Sequence, residues 1–266
     1  MYDSFNRHIY YLRISVTDKC NYRCSYCMPD GVPLVSHKDI LSFEEIAEVV
    51  KVAVQDFGFY KIRLTGGEPT VRRDIVSLVS MISTINGISD FGMTTNGSRL
   101  EQLAKPLKEA GLHRVNVSLD SVDPEEYARI TETGELDTVL RGIFAARDVG
   151  LSPIKLNCVI KKTPEESAAQ GVAKWGATYG FAVRFIRQMD LARGLFWQVI
   201  GGDGGNCAEC GRLRLSARGD LFPCLFSDVH FNVRKLGVSE ALRLAVLHKP
   251  ERGDVSHLKA FYTIGG

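Results

Sequence analysis

The stretch from residue 20 to 29, CNYRCSYCMP, contains three cysteines in the spacing C-x3-C-x2-C. Cys20, Cys24 and Cys27 directly follow the apolar run YYLRISV, which predicts a strand. In α/β folds, functional groups gather where strands end. A compact trio of thiols with no histidine beside it favours an iron–sulfur cubane with one iron left open. Structural zinc, which usually takes four ligands from two separated pairs, remains the alternative on spacing alone.

The composition limits the class of protein. The chain has 266 residues and a formal net charge of +2, with 45% hydrophobic and 24% charged residues. This predicts one large α/β domain, or a domain with an appendage, without the basic face that nucleic-acid binding needs. The N-terminus MYDSFNRHIYYLRIS lacks the apolar core of a signal peptide, and no apolar run approaches the roughly 18 residues of a membrane span. We therefore expect a cytoplasmic protein that binds neither nucleic acid nor membrane.

A second group of thiols lies near the C-terminus. Cys207, Cys210 and Cys224 have the spacing C-x2-C-x13-C. In a reducing cytosol, clustered thiols indicate a metal rather than disulfides. The alternative to a second iron–sulfur site is a zinc knuckle completed by a remote histidine such as His230. Cys158 alternates with apolar neighbours in IKLNCVI and is predicted to be buried in a strand.

Strand patterns alternate with helical patterns over the first 190 residues. The six apolar runs are YYLRISV, FYKIRLT, DFGMTTN, RVNVSLD, PIKLNCVI and AVRFIRQM. A capping box of Ser42 and Glu45 starts a helix that ends near Gly58, and the prolines of DPEEYARI and TPEESAAQ are expected just inside helix starts. Six strand–helix units predict parallel strands with right-handed crossovers, in an open sheet or a barrel. The alternation stops after Asp190, so we divide the chain into residues 1–190 and 191–266.

Several motifs, in order, resemble those of one enzyme family. The first cysteine motif, with Tyr26 before its third cysteine, is similar to the signature of the radical S-adenosylmethionine (SAM) superfamily. KIRLTGGEPTVRRDI, TTNG, RVNVSLDS, NCAECGRLRLSARGDLFPCLF and the final IGG resemble the GTP 3′,8-cyclase (MoaA) family within it. The motifs span nearly the whole chain. The resemblance implies a partial (β/α)6 TIM-like barrel of the radical SAM type, followed by a C-terminal iron–sulfur-binding extension.

The resemblance also implies an activity. The expected enzyme is a lyase that converts GTP to (8S)-3′,8-cyclo-7,8-dihydroguanosine 5′-triphosphate, the first step of molybdenum cofactor (molybdopterin) biosynthesis. In that reaction an adenosyl radical takes hydrogen from ribose C3′, and the carbon radical attacks guanine C8. The expected cofactors are SAM and two [4Fe–4S] clusters, the second of which binds the guanine base. The alternatives are a radical SAM peptide maturase with an auxiliary cluster, which would lack triphosphate-binding cations, and a non-catalytic zinc-binding interaction protein.

Partners follow from the same resemblance. Besides GTP and SAM, we expect an electron donor such as flavodoxin or ferredoxin. The next enzyme of the pathway, cyclic pyranopterin monophosphate synthase, is expected to take the product. A homodimer is compatible with the family.

Site residues are carried over position by position. The first cluster is assigned to Cys20, Cys24 and Cys27, and the second to Cys207, Cys210 and Cys224. Contact with SAM is assigned to Tyr26, Gly67, Ser118 and Met189. Contact with GTP is assigned to Arg13, Arg63, Thr94, Lys155, Arg212, Leu213 and Arg214. The tail residues Gly265 and Gly266 are assigned a catalytic role.

The physical properties of these residues agree with the resemblance. Arginines and a lysine neutralise a triphosphate well, and guanidinium groups suit phosphate oxygens. For each of these cationic side chains taken alone, the alternative to GTP binding is that it faces outward and forms a salt bridge. Arg212 and Arg214 occupy alternate positions, so on an extended chain they point the same way. The sequence departs from the family pattern in two shortened segments, 191–206 and 250–262, and at Arg187, where an acidic residue is expected.

Overall fold

The computed structural model describes residues 1–27, 39–257 and 261–264, with the side chains of residues 261 and 262 excepted. Six parallel strands form the central sheet, and all six predicted strands are confirmed. They are β1 (Tyr11–Ser15), β2 (Lys61–Thr65), β3 (Asp90–Thr95), β4 (Arg114–Ser118), β5 (Lys155–Ile160) and β6 (Ala182–Arg187). Each strand pairs with the next in chain order, which is the arrangement of a (β/α) barrel. The other edge of β1 pairs with a later strand rather than with β6, so the barrel is partial.

Helices connect the strands. They are α1 (Phe43–Gln55), α2 (Ile75–Ser83), α3 (Leu100–Glu109), α4 (Pro124–Thr131), α5 (Leu136–Asp148) and α6 (Ser167–Tyr179). The predicted capping box is present, because the Glu45 N–H donates to Ser42 Oγ at 3.2 Å and the Ser42 N–H donates to Glu45 Oε2 at 2.7 Å. Pro124 occupies the first turn of α4, as expected.

Two expectations about helices were wrong. TPEESAAQ does not place its proline inside a helix, since α6 begins at Ser167, three residues after Pro164. The reason is the Glu166 carboxylate, which accepts the N–H groups of Lys161, Lys162 and Thr163 and holds this segment as a separate turn. β6 is followed by a loop over residues 188–211, so no helix packs on the barrel directly after the sixth strand.

The two faces of the sheet differ in chemistry. On the outer face, apolar side chains such as Leu12, Ile14 and Leu64 pack under the helices in the main core. Cys158 belongs to this core and is fully buried, which confirms its prediction. The alternate residues of the same strands face inward and are largely polar or charged. A strand's alternation therefore separates the core from the barrel interior.

The C-terminal region continues the same sheet. Its strands are β7 (Arg212–Leu215), β8 (Asp220–Phe222) and β9 (Phe231–Asn232), and its helices are α7 (Val233–Leu236), α8 (Val238–Leu247) and α9 (Phe261–Ile264). β7 pairs in parallel with β1, and β8 and β9 extend the sheet antiparallel. The boundary near Asp190 stays a prediction, but this pairing fixes the extension against the barrel. No helix within the described ranges is long and apolar enough to cross a membrane.

Candidate active site

Two glycines bring the loop after β2 against the loop that leads to the first thiols. The Gly67 N–H donates to the Thr17 carbonyl, and the Glu68 N–H donates to the Lys19 carbonyl, both at 2.8 Å. A Cβ at residue 67 would overlap the Lys19 carbonyl, and one at Gly66 would crowd Thr17. Only glycine allows this close approach. The backbone ahead of the first cysteine motif is thereby fixed to the end of β2.

Glu68 joins the ends of β2 and β3. Its carboxylate is 1% exposed and accepts hydrogen bonds from Thr70 Oγ1 (2.6 Å), Thr95 Oγ1 (2.7 Å) and the Asn96 N–H (2.6 Å). Burial raises the pKa of this carboxyl group, and the hydrogen bonds only partly offset that effect. Glu68 thus connects the ends of β2 and β3 beside the three thiols.

The first three thiols line one cavity, which we call the thiol cavity. Cys20, Cys24 and Cys27 lie on its wall. Burial raises the pKa of Cys20 to about 11 and of Cys27 to about 12. For Cys24, burial and then the nearby Asp120 carboxylate raise the thiol pKa further. The other predicted site residues on this wall are Tyr26, Gly67, Thr94, Ser118 and Met189.

Tyr26 anchors the thiol loop to the barrel. Its hydroxyl donates to Asp120 Oδ2 at 2.7 Å, and the Val159 N–H donates to Asp120 Oδ1 at 2.7 Å. Burial raises the pKa of Asp120 to about 6 despite these two hydrogen bonds. Sequence reasoning missed Asp120, although its position directly after β4 in RVNVSLDS was a usable signal.

A second cavity, the cation cavity, opens where β1, β2 and β7 lie side by side. The register places Arg63, Arg13 and Arg214 in one row across these three strands. A second row contains Lys61, Tyr11 and Arg212. Arg212 and Arg214 line the same cavity, as their alternate positions predict. The cationic side chains on the cavity wall are Arg13, Lys61, Arg63, Arg114, Arg184, Arg212 and Arg214.

Several of these guanidinium groups retain unused donors. Arg63 is 3% exposed, and its Nη1 has no hydrogen-bond partner among the described residues. Its Nε donates to the Tyr11 hydroxyl oxygen at 2.9 Å. The Nε atoms of Arg184 and Arg212 are likewise buried without a partner in the described ranges. Gly92, next to Arg63 in the register, leaves room, since a Cβ there would come within 3.3 Å of Arg63 Nη2.

The positive charge changes the acidity of Tyr11. Burial alone would raise the pKa of its hydroxyl, but Arg63, Arg13 and Arg212 outweigh burial and lower the pKa to about 7. The arginines also act on one another: burial, followed by Arg212 and Arg63, lowers the pKa of Arg13 to about 10. Among the described residues that line this cavity, Asp203 is the one carboxylate. The cavity is thus built for an anion.

Some predicted GTP contacts lie elsewhere. Thr94 lines the thiol cavity, not the cation cavity. Leu213 lies in the main core, on the opposite face of β7 from its two neighbouring arginines. Lys155 does not line either cavity, but burial and then the nearby Arg184 lower the pKa of its ammonium. The roles proposed for these three residues stay predictions.

Sequence reasoning also missed residues of the cation cavity. Lys61 lies two residues before Arg63 on the same strand face, so alternation was a signal for it. Arg184 lies in AVRFIRQM and Arg114 begins RVNVS. No pattern in the neighbouring sequence indicated that either side chain lines a cavity. Arg114 donates to both oxygens of Asp90, at 2.6 and 2.7 Å, so part of its charge is already compensated.

The two cavities are adjacent and share part of their walls. Asn157, Ile186 and Met189 line both of them. Asn157 Oδ1 is buried and has no hydrogen-bond partner in the described part of the chain. Groups bound in the two cavities would therefore both lie beside these shared residues.

The second trio of thiols also lies on the wall of the cation cavity. Cys207, Cys210 and Cys224 all line it. The Cys207 carbonyl accepts a hydrogen bond from Arg7 Nη1 at 2.7 Å. His230, the remote histidine of the zinc alternative, packs its ring on Phe222 with centroids 5.3 Å apart.

A single-ion site has different requirements from a cubane. Across residues 1–27, 39–257 and 261–264, no three or more His, Cys, Asp or Glu side chains are grouped to hold one metal ion. Zinc needs such a grouping. A cubane does not, because each thiolate binds a different iron.

The departures from the family pattern have defined positions. Arg187 lines the thiol cavity, and its guanidinium lies 3.8 Å from the ring centroid of Trp197. Gly265 and Gly266 lie outside the described residues. The preceding Ile264 carbonyl accepts a hydrogen bond from Arg214 Nη1 at 3.3 Å.

Comparison with known proteins gives the family. The sequence profile of the Radical SAM superfamily matches residues 14–174, more than half of the chain. A GTP 3′,8-cyclase of Thermodesulfovibrio yellowstonii is 38% identical over 323 aligned residues, with 100% of each chain covered. A GTP 3′,8-cyclase of Moorella thermoacetica is 39% identical, with 88% of this chain and 86% of the relative covered.

Solved structures show the same fold at low identity. Streptococcus suis SuiB matches with a TM-score of 0.58 and 15% identity, over 87% of this chain and 65% of SuiB. The structure of anSMEcpe with bound AdoMet matches with a TM-score of 0.57 and 21% identity, over 70% of this chain and 51% of that one. The partial-barrel prediction is thereby confirmed. The chain belongs to the radical SAM superfamily and, within it, to the GTP 3′,8-cyclase family.

Proposed function

We propose that this protein converts GTP to (8S)-3′,8-cyclo-7,8-dihydroguanosine 5′-triphosphate, using a [4Fe–4S] cluster and SAM in the thiol cavity. The observation that carries the proposal is the cation cavity, which is lined by seven cationic side chains and shares Asn157, Ile186 and Met189 with the wall of the thiol cavity. A triphosphate nucleotide and SAM would therefore lie next to each other.

The residues of the thiol cavity fit a cluster with one open iron. Cys20, Cys24 and Cys27 supply three thiols on one wall, and the Tyr26–Asp120 hydrogen bond fixes the loop that presents them. When bound, the cluster supplies the electron that cleaves SAM. Gly67 lies on the wall of this cavity, which supports the predicted contact of its backbone with SAM. Ser118 and Met189, on the same wall, support the predicted SAM contacts.

The cation cavity fits a triphosphate. Two unit charges about 5 Å apart repel by about 3 kcal/mol at an effective dielectric of about 20. A row of buried guanidinium groups therefore lowers stability unless an anion compensates it. Phosphate oxygens also satisfy the unused donors of Arg63 and Arg212, each of which costs about 1–3 kcal/mol while unpaired. A peptide carries such a density of negative charge only when it is rich in Asp and Glu, so this cavity favours a triphosphate over a peptide in general.

The second thiol trio lies on the wall of the same cation cavity, which supports its predicted role beside the guanine base. We assign a second [4Fe–4S] cluster to Cys207, Cys210 and Cys224, since three thiols again line one cavity. Arg214 contributes to this cavity and also donates to the Ile264 carbonyl. This contact supports the predicted entry of the glycine tail into the site. Electron donor, next enzyme of the pathway and homodimer remain predictions.

Product analysis tests the proposed function. Anaerobic protein with reconstituted clusters is incubated with SAM, a reductant and GTP. The nucleotides are then separated by chromatography, and their masses are measured by mass spectrometry. We expect a new compound isomeric with GTP, and none from ATP. Arg63→Gln should lose GTP binding and product, whereas Arg141→Gln, an exposed change on α5, should retain both. Formation of 5′-deoxyadenosine without any GTP-derived product would overturn the proposal.

A further inference from the structure

Lys249 is a buried lysine beside the second thiol trio. It follows α8, and the residue is only 3% exposed. Its Nζ atom donates to the Pro223 carbonyl at 2.7 Å and to the Arg212 carbonyl at 2.8 Å. The third contact is with Cys210 Sγ at 3.6 Å. One side chain thus ties together the segment after Cys210 and the segment before Cys224.

The contacts define the charge of Lys249. Two carbonyls and the thiolate that would bind the proposed cluster are all acceptors, and three donors are available only on the protonated ammonium. A buried ammonium is costly unless an anion compensates it. Among the described residues, no carboxylate forms an ion pair with Lys249. The nearest source of negative charge is therefore the thiolate trio itself.

Arg7 offers an informative contrast on the other side of the trio. It donates to the Cys207 carbonyl at 2.7 Å and to the Glu251 and Pro250 carbonyls at 2.8 and 2.7 Å. Unlike Lys249, Arg7 forms an ion pair at 2.6 Å with buried Asp3. The N-terminal segment thus holds the backbone of Cys207 with little net charge. Lys249, by contrast, donates to the sulfur of Cys210 and forms no ion pair with a carboxylate in the described part of the chain.

We propose that Lys249 is a positioning residue that holds the thiols of the second cluster and raises the reduction potential of that cluster. The proposal rests on the second cluster of the proposed function. A cluster held by three thiolates gains negative charge on reduction, so an adjacent cation stabilises the reduced form more than the oxidised form. Hydrogen bonds to the sulfurs act in the same direction.

The test isolates the second cluster. In full-length protein carrying Cys20→Ala, Cys24→Ala and Cys27→Ala, only the second trio can bind a cluster. Lys249→Met is added to this background, and the potential is measured by redox titration followed by electron paramagnetic resonance. We expect the oxidised-to-reduced ratio at a fixed potential to rise at least tenfold, a shift of 59 mV to more negative potential for a one-electron couple.

Matched variants separate charge from fold. Lys249→Arg keeps the charge and should keep most of the potential, and Lys174→Met, an exposed change on α6, should leave the potential unchanged. If Lys249→Met does not fold, the same redox titration is carried out on Lys249→Gln, for which we expect the same shift to a more negative potential. Loss of iron from a folded Lys249→Met variant, with iron retained by Lys249→Arg, supports the positioning role.

Two results overturn the proposal and are distinguishable. An unmoved potential in an iron-loaded Lys249→Met variant contradicts the role of Lys249 and leaves the proposed function intact. Absence of iron from the parent triple-alanine protein contradicts the second cluster itself, and the role of Lys249 with it.

Discussion

The Cys20–Cys24–Cys27 trio and the Cys207–Cys210–Cys224 trio contain the same donor atoms in different electrostatic surroundings. Around the first trio, burial raises the thiol pKa values, and the carboxylates Glu68 and Asp120 raise them further. Around the second trio, burial also opposes ionisation of Cys210, but Lys249 and then Arg212 outweigh it and lower the pKa of that thiol.

This difference agrees with the separate task that the proposed function gives to each trio. Negative surroundings disfavour the reduced, more negative state of a cluster, which suits a group that must give an electron to SAM. Positive surroundings favour anionic ligands, which suits a group that must lie beside a triphosphate nucleotide. Under the proposed function, charge placement around the thiols, rather than the thiols themselves, would distinguish electron delivery at the first trio from substrate binding at the second.

Removing the first trio should have the largest effect. With Cys20, Cys24 and Cys27 replaced by alanine, we expect complete loss of SAM cleavage, because no other described thiols line the thiol cavity. The second cluster should remain visible by electron paramagnetic resonance, since its ligands are separate. Cys158→Ala, a buried change in the same barrel, serves as the control and should retain SAM cleavage. Reductive cleavage of SAM by the triple variant would contradict the division of roles.

Removing the tail should block one step only. Deletion of Gly265 and Gly266 should spare cluster assembly and GTP affinity but abolish cyclisation. The reason is that glycines enter crowded cavities, and Arg214 already holds the adjacent Ile264 carbonyl. Iron content, GTP titration and product yield are measured on the same preparation. Normal product yield from the shortened chain would rule out a catalytic tail.

Removing one arginine of the cation cavity should weaken GTP binding by a measurable amount. Loss of a buried charge-assisted contact costs about 1.5–3 kcal/mol, so Arg212→Ala or Arg214→Ala should reduce GTP affinity by roughly one to two orders of magnitude. Arg243→Ala, an exposed change on α8, provides the control. If isothermal titration calorimetry gives all three variants the same GTP affinity as the parent protein, Arg212 and Arg214 do not bind GTP.

The smallest expected effect is a dependence of GTP affinity on pH. The pKa of Tyr11 is about 7 because the surrounding cations outweigh its burial. Above that pH its hydroxyl ionises and adds negative charge, so GTP affinity should fall as pH rises, by up to about tenfold per unit for one linked proton. Tyr11→Phe cannot ionise and should show a shallower fall between pH 6 and 9. Ionisation of the triphosphate affects both proteins equally, so identical pH profiles would exclude Tyr11 as the source.

The sequence was sufficient where a feature depends on neighbouring residues. The alternation of apolar side chains defined all six barrel strands, and the Ser42–Glu45 pair defined the start of α1. The TPEESAAQ segment misled because Glu166 bonds backward to Lys161 and Lys162, which makes a turn where proline normally opens a helix. The thiols were found because their spacing is local.

The sequence was insufficient where a feature depends on register between distant strands. Arg13, Arg63 and Arg214 become neighbours only because β1 pairs with both β2 and β7. Lys249 approaches Cys210 from the segment after α8, 39 residues further along the chain. Such contacts have no local pattern, so the resemblance to a family identified the arginines and nothing identified Lys249.

The most direct test of the account is whether the two cavities exchange a hydrogen atom. GTP carrying deuterium at ribose C3′ is incubated with SAM, a reductant and the reconstituted protein, and the mass of the released 5′-deoxyadenosine is measured. Because Asn157, Ile186 and Met189 line both cavities, the account predicts 5′-deoxyadenosine that contains one deuterium. 5′-Deoxyadenosine without deuterium, formed at the same rate with or without GTP, would contradict it.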